Sequence, residues 1–380
     1  MGVSFDFSKK FEVDQIKKFR NFINGNNYFV LNKYKNINSK NRWSIICSCM
    51  DWITVAVDFI NSTEIKNKSE NIMSMQVYTM ISSYDIIIDA IIQLHRVFFN
   101  TRNSPFENDR SIFKEKLTDE KYFKHIRAVF GAHPVNLDDI YDSNSKKKYF
   151  ASWASARAVS KYDMHVFLYS NIPGEPAKEF GIEFYLIHEL VLKYYNYLNI
   201  IVEEIKKQYE GSLCEKRAQV IEKKQDILEQ IEVLKNERKL RFNDCYSIEL
   251  DELEMMFNSR CTFIENQSAF NEYLKELEKV VEELHSNLQS MKFGELETDY
   301  IINPGSSFDR QYDYEKVFNY IYGDDDNLSY HMFPNHYKRI QVELLGIKTF
   351  DSSLSKNELL LTIKAGLYFK EKQKKVGERK

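Results

Sequence analysis

The sequence predicts a mainly α protein: an N-terminal helical bundle with a small β-hairpin, then a long antiparallel helical hairpin, then a small C-terminal helical region ending in a basic tail. Three observations predict it. Apolar residues recur at steps of three and four along most of the chain, the period of an amphipathic helix. The stretch from Asp163 to Phe184 instead alternates and is broken by a turn. Beyond Phe184 the texture shifts to long charged segments with heptad spacing. The 380 residues divide into 1–182, 183–292 and 293–380, enough chain to bury a sizeable core.

The first element is a helix over Phe11, Ile16, Phe19, Phe22 and Ile23, closed by Asn24-Gly25-Asn26. A second runs from Trp43 to Ile60 with Ile46, Met50, Ile53 and Val57 on one side. The third, Ile72 to Phe99, is apolar over most of its circumference, which marks a central helix. Asp85, Asp89, Gln93 and Arg96 recur along it at steps of four, four and three and form one polar stripe. That stripe is either a solvated face or the wall of a cleft. The charges also break the apolar run at Tyr84–Phe99, so it reads as a core helix and no membrane contact is expected.

A long loop, Asn100 to Leu117, leads to a helix that Thr118 caps and Asp119 and Glu120 favour through the dipole. Tyr122, Phe123, Ile126, Val129 and Phe130 share its apolar face. Gly131 is suited to a left-handed cap, and Pro134 disfavours helix at Ala132–His133. Arg127 thus lies in the last turn and His133 just past the break. Tyr149–Trp153 is expected to pack over the core, and Asp163–Asn171 with Phe180–Phe184 to form the hairpin around Ile172-Pro-Gly-Glu-Pro176.

Beyond it, Ile187 to Leu234 keeps helical spacing with a kink at Gly211-Ser212, and a second long helix starts near Ile248. Phe270, Leu274, Leu277, Val281, Leu284 and Leu288 form the clearest heptad, so the two arms should pair as a hairpin able to dock a protein partner. A short helix, Phe308 to Tyr322, stops at Gly323. Asp324-Asp-Asp326 reads as an acidic turn. Ser355 and Glu358 make a capping box for the last helix, and Lys370 to Lys380 is the basic tail.

Composition narrows the chemistry. With 53 Lys and Arg against 56 Asp and Glu, the formal net charge of −3 excludes a whole-protein basic field, so a phosphate-binding surface must be local. The five cysteines lack disulfide or Cys-x-x-Cys spacing, and Cys47 and Cys49 read as small core residues. No apolar signal core opens the chain, and a cytoplasmic location is expected. Phosphate-binding glycine loops, the Gly-x-Ser-x-Gly elbow and the His-Glu-x-x-His pair are absent, and His125, His133, Asp138 and Asp139 have no spacing that demands a metal. No metal or cofactor is expected.

Arg127 and His133 remain. Metal-free RNA cleavage needs a group that moves protons near neutral pH and a fixed cation for the phosphorane, and imidazole and guanidinium supply these. The alternative is structural: Arg127 caps carbonyls and His133 is a satisfied histidine beside Pro134. Arg127-Ala-Val-Phe-Gly-Ala-His133, at a helix end in an all-helical region, resembles the HEPN superfamily, whose signature is an Arg followed after four to six residues by a His. The resemblance covers roughly the first 180 residues. Ala128 stands where many members carry a polar residue. The resemblance implies a metal-independent endoribonuclease of a toxin or anti-phage defence system, acting as a homodimer whose Arg127 and His133 line one cleft. Arg127 would stabilise the scissile phosphate, His133 would move the proton, and Asp85 or Asp89 would support the site. The competing expectation is a non-enzymatic scaffold that binds a partner through the helical hairpin.

Overall fold

The computed structural model describes residues 10–63, 69–140, 146–153, 162–241, 245–323, 327–348 and 354–377. The chain is mainly α with one small antiparallel sheet. It separates into two units, Met1–Tyr209 and Glu210–Lys380, in place of the three expected regions.

In the first unit, α1 (Val13–Gly25) and α2 (Asn27–Tyr34) precede α3 (Trp43–Ser62) and α4 (Glu70–Phe98). The α2 helix carries no clear apolar period and is invisible to a periodicity reading. Ser69 caps α4 by accepting from the Ile72 amide at 3.3 Å. Val77, Ile81, Tyr84, Ile87, Ile88, Ile91 and Leu94 of α4 are buried, so this helix is the axis of the unit. Truncating one of its isoleucines to Ala costs about 2–5 kcal/mol by transfer and cavity terms. Tyr84 is fully buried and is satisfied by His188 Nδ1 at 3.0 Å. By length and composition α3 and α4 could each cross a membrane. Both pack in this core, and α3 leaves Trp52 and Val55 exposed.

The helix α5 (Asp119–Arg127) follows the long loop, and β1 (Leu137–Asp138), β2 (Lys148–Trp153), β3 (Met164–Ser170) and β4 (Lys178–Ile182) form a sheet in sequence order. The expected hairpin is β3–β4, with Val166 opposite Phe180. Tyr149–Trp153 goes further than expected and becomes β2, paired with β3 over its whole length. Then α6 (Phe184–Asn196) and the start of α7 (Leu198–Ala218) close the core with Ile187, Tyr194, Leu198, Ile201 and Ile205. These residues were expected in a hairpin arm. They are buried in the first unit, and α7 runs without a break through Gly211-Ser212.

The second unit contains α8 (Ile227–Leu240), α9 (Ser247–Phe257), α10 (Gln267–Ser290), α11 (Asp299–Ile302), α12 (Gln311–Tyr322), α13 (Asn327–Ile340) and α14 (Lys356–Gly377). The second arm is broken between α9 and α10. Five heptad positions (Phe270, Leu277, Val281, Leu284 and Leu288) are buried with Leu253, Leu360 and Ile363. The heptad therefore serves a compact helical core. Ser355 caps α14 by accepting from the Glu358 amide at 3.3 Å, but the buried Glu358 carboxylate does not complete a box. It accepts instead from the Thr262 amide and hydroxyl, each at 2.6 Å. The expected basic tail is largely the end of α14, where Lys370 pairs with Glu343 at 3.3 Å and Lys372 with Glu272 at 2.9 Å. Asp324–Asp326 lies outside the described residues.

Candidate functional site

The candidate site sits where α5 ends against α4. The start of α5 follows the sequence: Thr118 Oγ1 accepts from the Lys121 amide. Asp119 does more than favour the dipole. It is buried, and its carboxylate accepts from the Ile112 and Phe113 amides at 3.1 and 3.0 Å, fastening the long loop to the helix.

The other end departs from expectation. Helix continues past Arg127 as a π turn, Ala128–Ala132, and the His133 amide donates to the Ala128 carbonyl five residues back at 3.1 Å. Gly131 is not a left-handed cap. Its φ is not positive, and a Cβ placed on it would meet Tyr78 only at 3.8 Å. The widened turn buries Val129, Phe130 and Gly131 in succession, a span too broad for one face at α spacing of about 100° per residue. Phe130 meets Trp153 and Phe180 with ring centroids 5.7 and 6.0 Å apart, and the Ala151 amide donates to the Pro134 carbonyl at 2.7 Å. The sheet thus holds the turn from below. Such π turns often occur at functional sites.

Arg127 and Asp85 are brought together. Arg127 Nε is 2.9 Å from Asp85 Oδ2, with the guanidinium side chain 42% exposed and the aspartate 11%. The polar stripe on α4 therefore does meet Arg127. Burial, reinforced by Asp89, pushes the Asp85 carboxyl up to about 6 against the opposing pull of Arg127 and Lys124. A carboxyl at that value exchanges a proton near neutral pH and is fit for acid–base work. Asp89 is exposed and acts on Asp85 only through its charge. Gln93 is exposed too, and Arg96 bonds the Arg102 carbonyl, so the rest of the stripe lies outside the pair.

His133 closes the turn on the surface. Its side chain is exposed and meets no hydrogen-bonding partner among the described residues. It lies six residues beyond Arg127, at the end of the π turn. His125, in contrast, is buried against the Phe180 ring at 4.9 Å and burial holds it neutral, lowered to about 4.

Beside the turn is a cavity of 260 Å³ lined by Tyr78, Val129, Phe130, Gly131, Pro134 and Trp153 among others. Neither this cavity nor Lys124 as a neighbour of Asp85 was read from the sequence, since both depend on how α4, α5 and the sheet converge. Among the described residues no group of three or more His, Cys, Asp or Glu is placed to hold a metal ion. Asp139 touches His125 only electrostatically, and Asp138 pairs with Lys148.

Comparison with protein-family models, characterised proteins and solved structures finds no match to this chain.

Proposed function

We propose that the chain is a metal-independent endoribonuclease, an effector of a toxin or anti-phage defence system that works in the cytoplasm as a homodimer. The observation that carries this reading is the half-exposed Arg127–Asp85 pair, with a carboxyl raised to about 6 beside a π turn that ends on an exposed histidine. Arg127 binds the scissile phosphate and stabilises the charge that builds on it. His133 takes the proton of the attacking 2′-hydroxyl or delivers one to the leaving oxygen. Asp85 aims the guanidinium, and Asp89 keeps the Asp85 carboxyl high.

The dimer draws support from an apolar surface on α3 and α4. Trp52, Val55, Ile72, Met75 and Tyr78 are all exposed, and Tyr78 also lines the cavity beside the π turn. A second copy seated on this face would bring two turns toward one cleft. The competing reading is a scaffold that binds a partner through the helical hairpin; the residues expected along its two arms pack in separate cores, Ile187 to Ile205 in the first unit and Leu277 and Val281 in the second.

Expression in a bacterial host tests the proposal. Wild type arrests growth, and Arg127→Ala or His133→Ala relieves the arrest at equal protein levels. Continued arrest by both variants refutes it.

A further inference from the structure

A second group of arginines lies at the other end of α4. Asn100 follows the helix in the left-handed conformation, φ 48°, and the side chains of Arg42 and Arg96 bond to this turn, which also carries Arg102. Arg42, which opens α3, donates from Nη1 to Asn100 Oδ1 at 3.0 Å, and its own amide is fixed on the Tyr34 carbonyl at 2.9 Å. Arg96 donates from Nε to the Arg102 carbonyl at 3.0 Å. Arg102, two residues past Asn100, is itself exposed.

None of the three makes an ion pair among the described residues. Arg42 and Arg96 are instead held by neutral acceptors, an amide oxygen and a backbone carbonyl. The nearby Glu204 is engaged by Gln208 at 2.8 Å, and Gln208 in turn bonds the Phe98 carbonyl. One arginine in the last turn of a helix is explained by the dipole. Three near one turn, none of them bonded to a carboxylate, go beyond what the dipole explains. Arginines fixed by neutral groups, with donors left over, suit the fork geometry of a phosphate.

We propose that Arg42, Arg96 and Arg102 form a phosphate-binding subsite for single-stranded RNA, separate from Arg127. It rests on the ribonuclease reading. From Asp85 to Arg96 is eleven residues, about 16 Å along the axis. A strand cut at Arg127 would therefore present a phosphodiester a few nucleotides away to the arginine turn. Asp89 and Gln93 stand between, so the strand is gripped at the two ends and not along the middle.

The test uses a 2′-O-methyl oligoribonucleotide, which lacks the attacking hydroxyl and binds without being cut. Its affinity for the full chain is followed by fluorescence anisotropy over a range of salt. Replacing Arg42, Arg96 and Arg102 together by Gln should make the slope of log K against log salt shallower by about 2, given about 0.7 per lost contact on a single strand. An unchanged melting temperature verifies folding, and Lys17→Gln is the exposed control. Competition by millimolar inorganic phosphate that releases the wild-type oligonucleotide completely would show a free-anion site instead, and would overturn the RNA assignment. An unchanged slope in the triple variant, or no oligonucleotide binding by wild type, also overturns it. RNA cleavage by wild type with an unchanged slope sinks only this subsite. A reduced slope without any cleavage sinks only the ribonuclease reading.

Discussion

Arg127 Nε lies 2.9 Å from Asp85 Oδ2, and despite that contact the Asp85 carboxyl is raised to about 6. Burial therefore outweighs the ion pair. The guanidinium keeps much of its surface in water, so the pair adds at most about 1 kcal/mol to stability. An interaction that costs the carboxylate its solvation and returns little stability is placed better for chemistry than for folding.

Asp85 and His125, both perturbed by burial in the first unit, predict opposite pH slopes. Asp85 binds its proton more tightly folded than unfolded, so its contribution is fully present below about 3.8 and is lost as pH rises through about 6. His125, lowered to about 4, contributes stability that is present above about 6.5 and lost as pH falls toward 4. Urea titrations between pH 4 and 7 should show Asp85→Asn steepening the loss of stability on acidification, and His125→Phe flattening it. If both variants parallel the wild-type curve, the burial assigned to these groups is wrong.

Two glycines should respond in opposite ways. Gly131→Ala adds a methyl at ordinary contact distance from Tyr78 with no positive φ to oppose it, and should leave stability within about 1 kcal/mol of wild type or raise it. On Gly366 of α14 a Cβ would stand 2.6 Å from Leu344 Cβ and 2.9 Å from Leu344 Cα. Gly366→Ala must push the Leu344 backbone away and should cost about 1–3 kcal/mol. Thermal melting of the two variants decides it, and equal melting temperatures would contradict the packing.

Glu252 and Lys364 form a buried pair at 2.8 Å in the second unit. Lys364 uses its other donors on the Ile302 carbonyl at 2.9 Å and Asn303 Oδ1 at 3.0 Å, and Tyr322 donates to the second Glu252 oxygen. The network is fully satisfied and links α9, α11, α12 and α14. Lys364→Met alone strands a buried carboxylate and should cost about 3–5 kcal/mol, while adding Glu252→Leu should recover much of that loss. Denaturant unfolding of the single and double variants measures the difference. A double variant as unstable as the single one would mean the loss comes from packing and not from charge.

The apolar face of α3 and α4 predicts the oligomeric state. Wild type should sediment as a dimer, and Met75→Glu with Trp52→Glu should sediment as a folded monomer with unchanged circular dichroism. A wild-type monomer at tens of micromolar contradicts the dimer.

The legible parts of the molecule are those with a strong local signal. The α1, α3 and α4 helices follow from apolar period, Thr118 and Ser355 from capping chemistry, and β3–β4 from alternation around Ile172–Pro176. The approach of Asp85 to Arg127 was one of two readings the polar stripe left open, and the other, a solvated face, describes Asp89 and Gln93. What was not readable depends on long-range packing. The π turn sets Phe130 against Trp153 and Phe180 of the sheet, whereas Gly131 and Pro134 by themselves look like an ordinary stop. The heptad of α10 fits a coiled coil and a compact core equally well, and only the presence of α14 beside it decides. Likewise α2 has too little pattern to stand out, and the destination of the Glu358 carboxylate, ninety-six residues away at Thr262, leaves no local trace.

The most direct test is cleavage of single-stranded RNA by the purified chain in excess EDTA. Cleavage by wild type, lowered about 10²–10³-fold by Arg127→Ala and about 10²–10⁴-fold by His133→Ala with melting temperatures unchanged, is the predicted result. Cleavage that persists in both variants, or wild type that leaves every RNA intact, would contradict it.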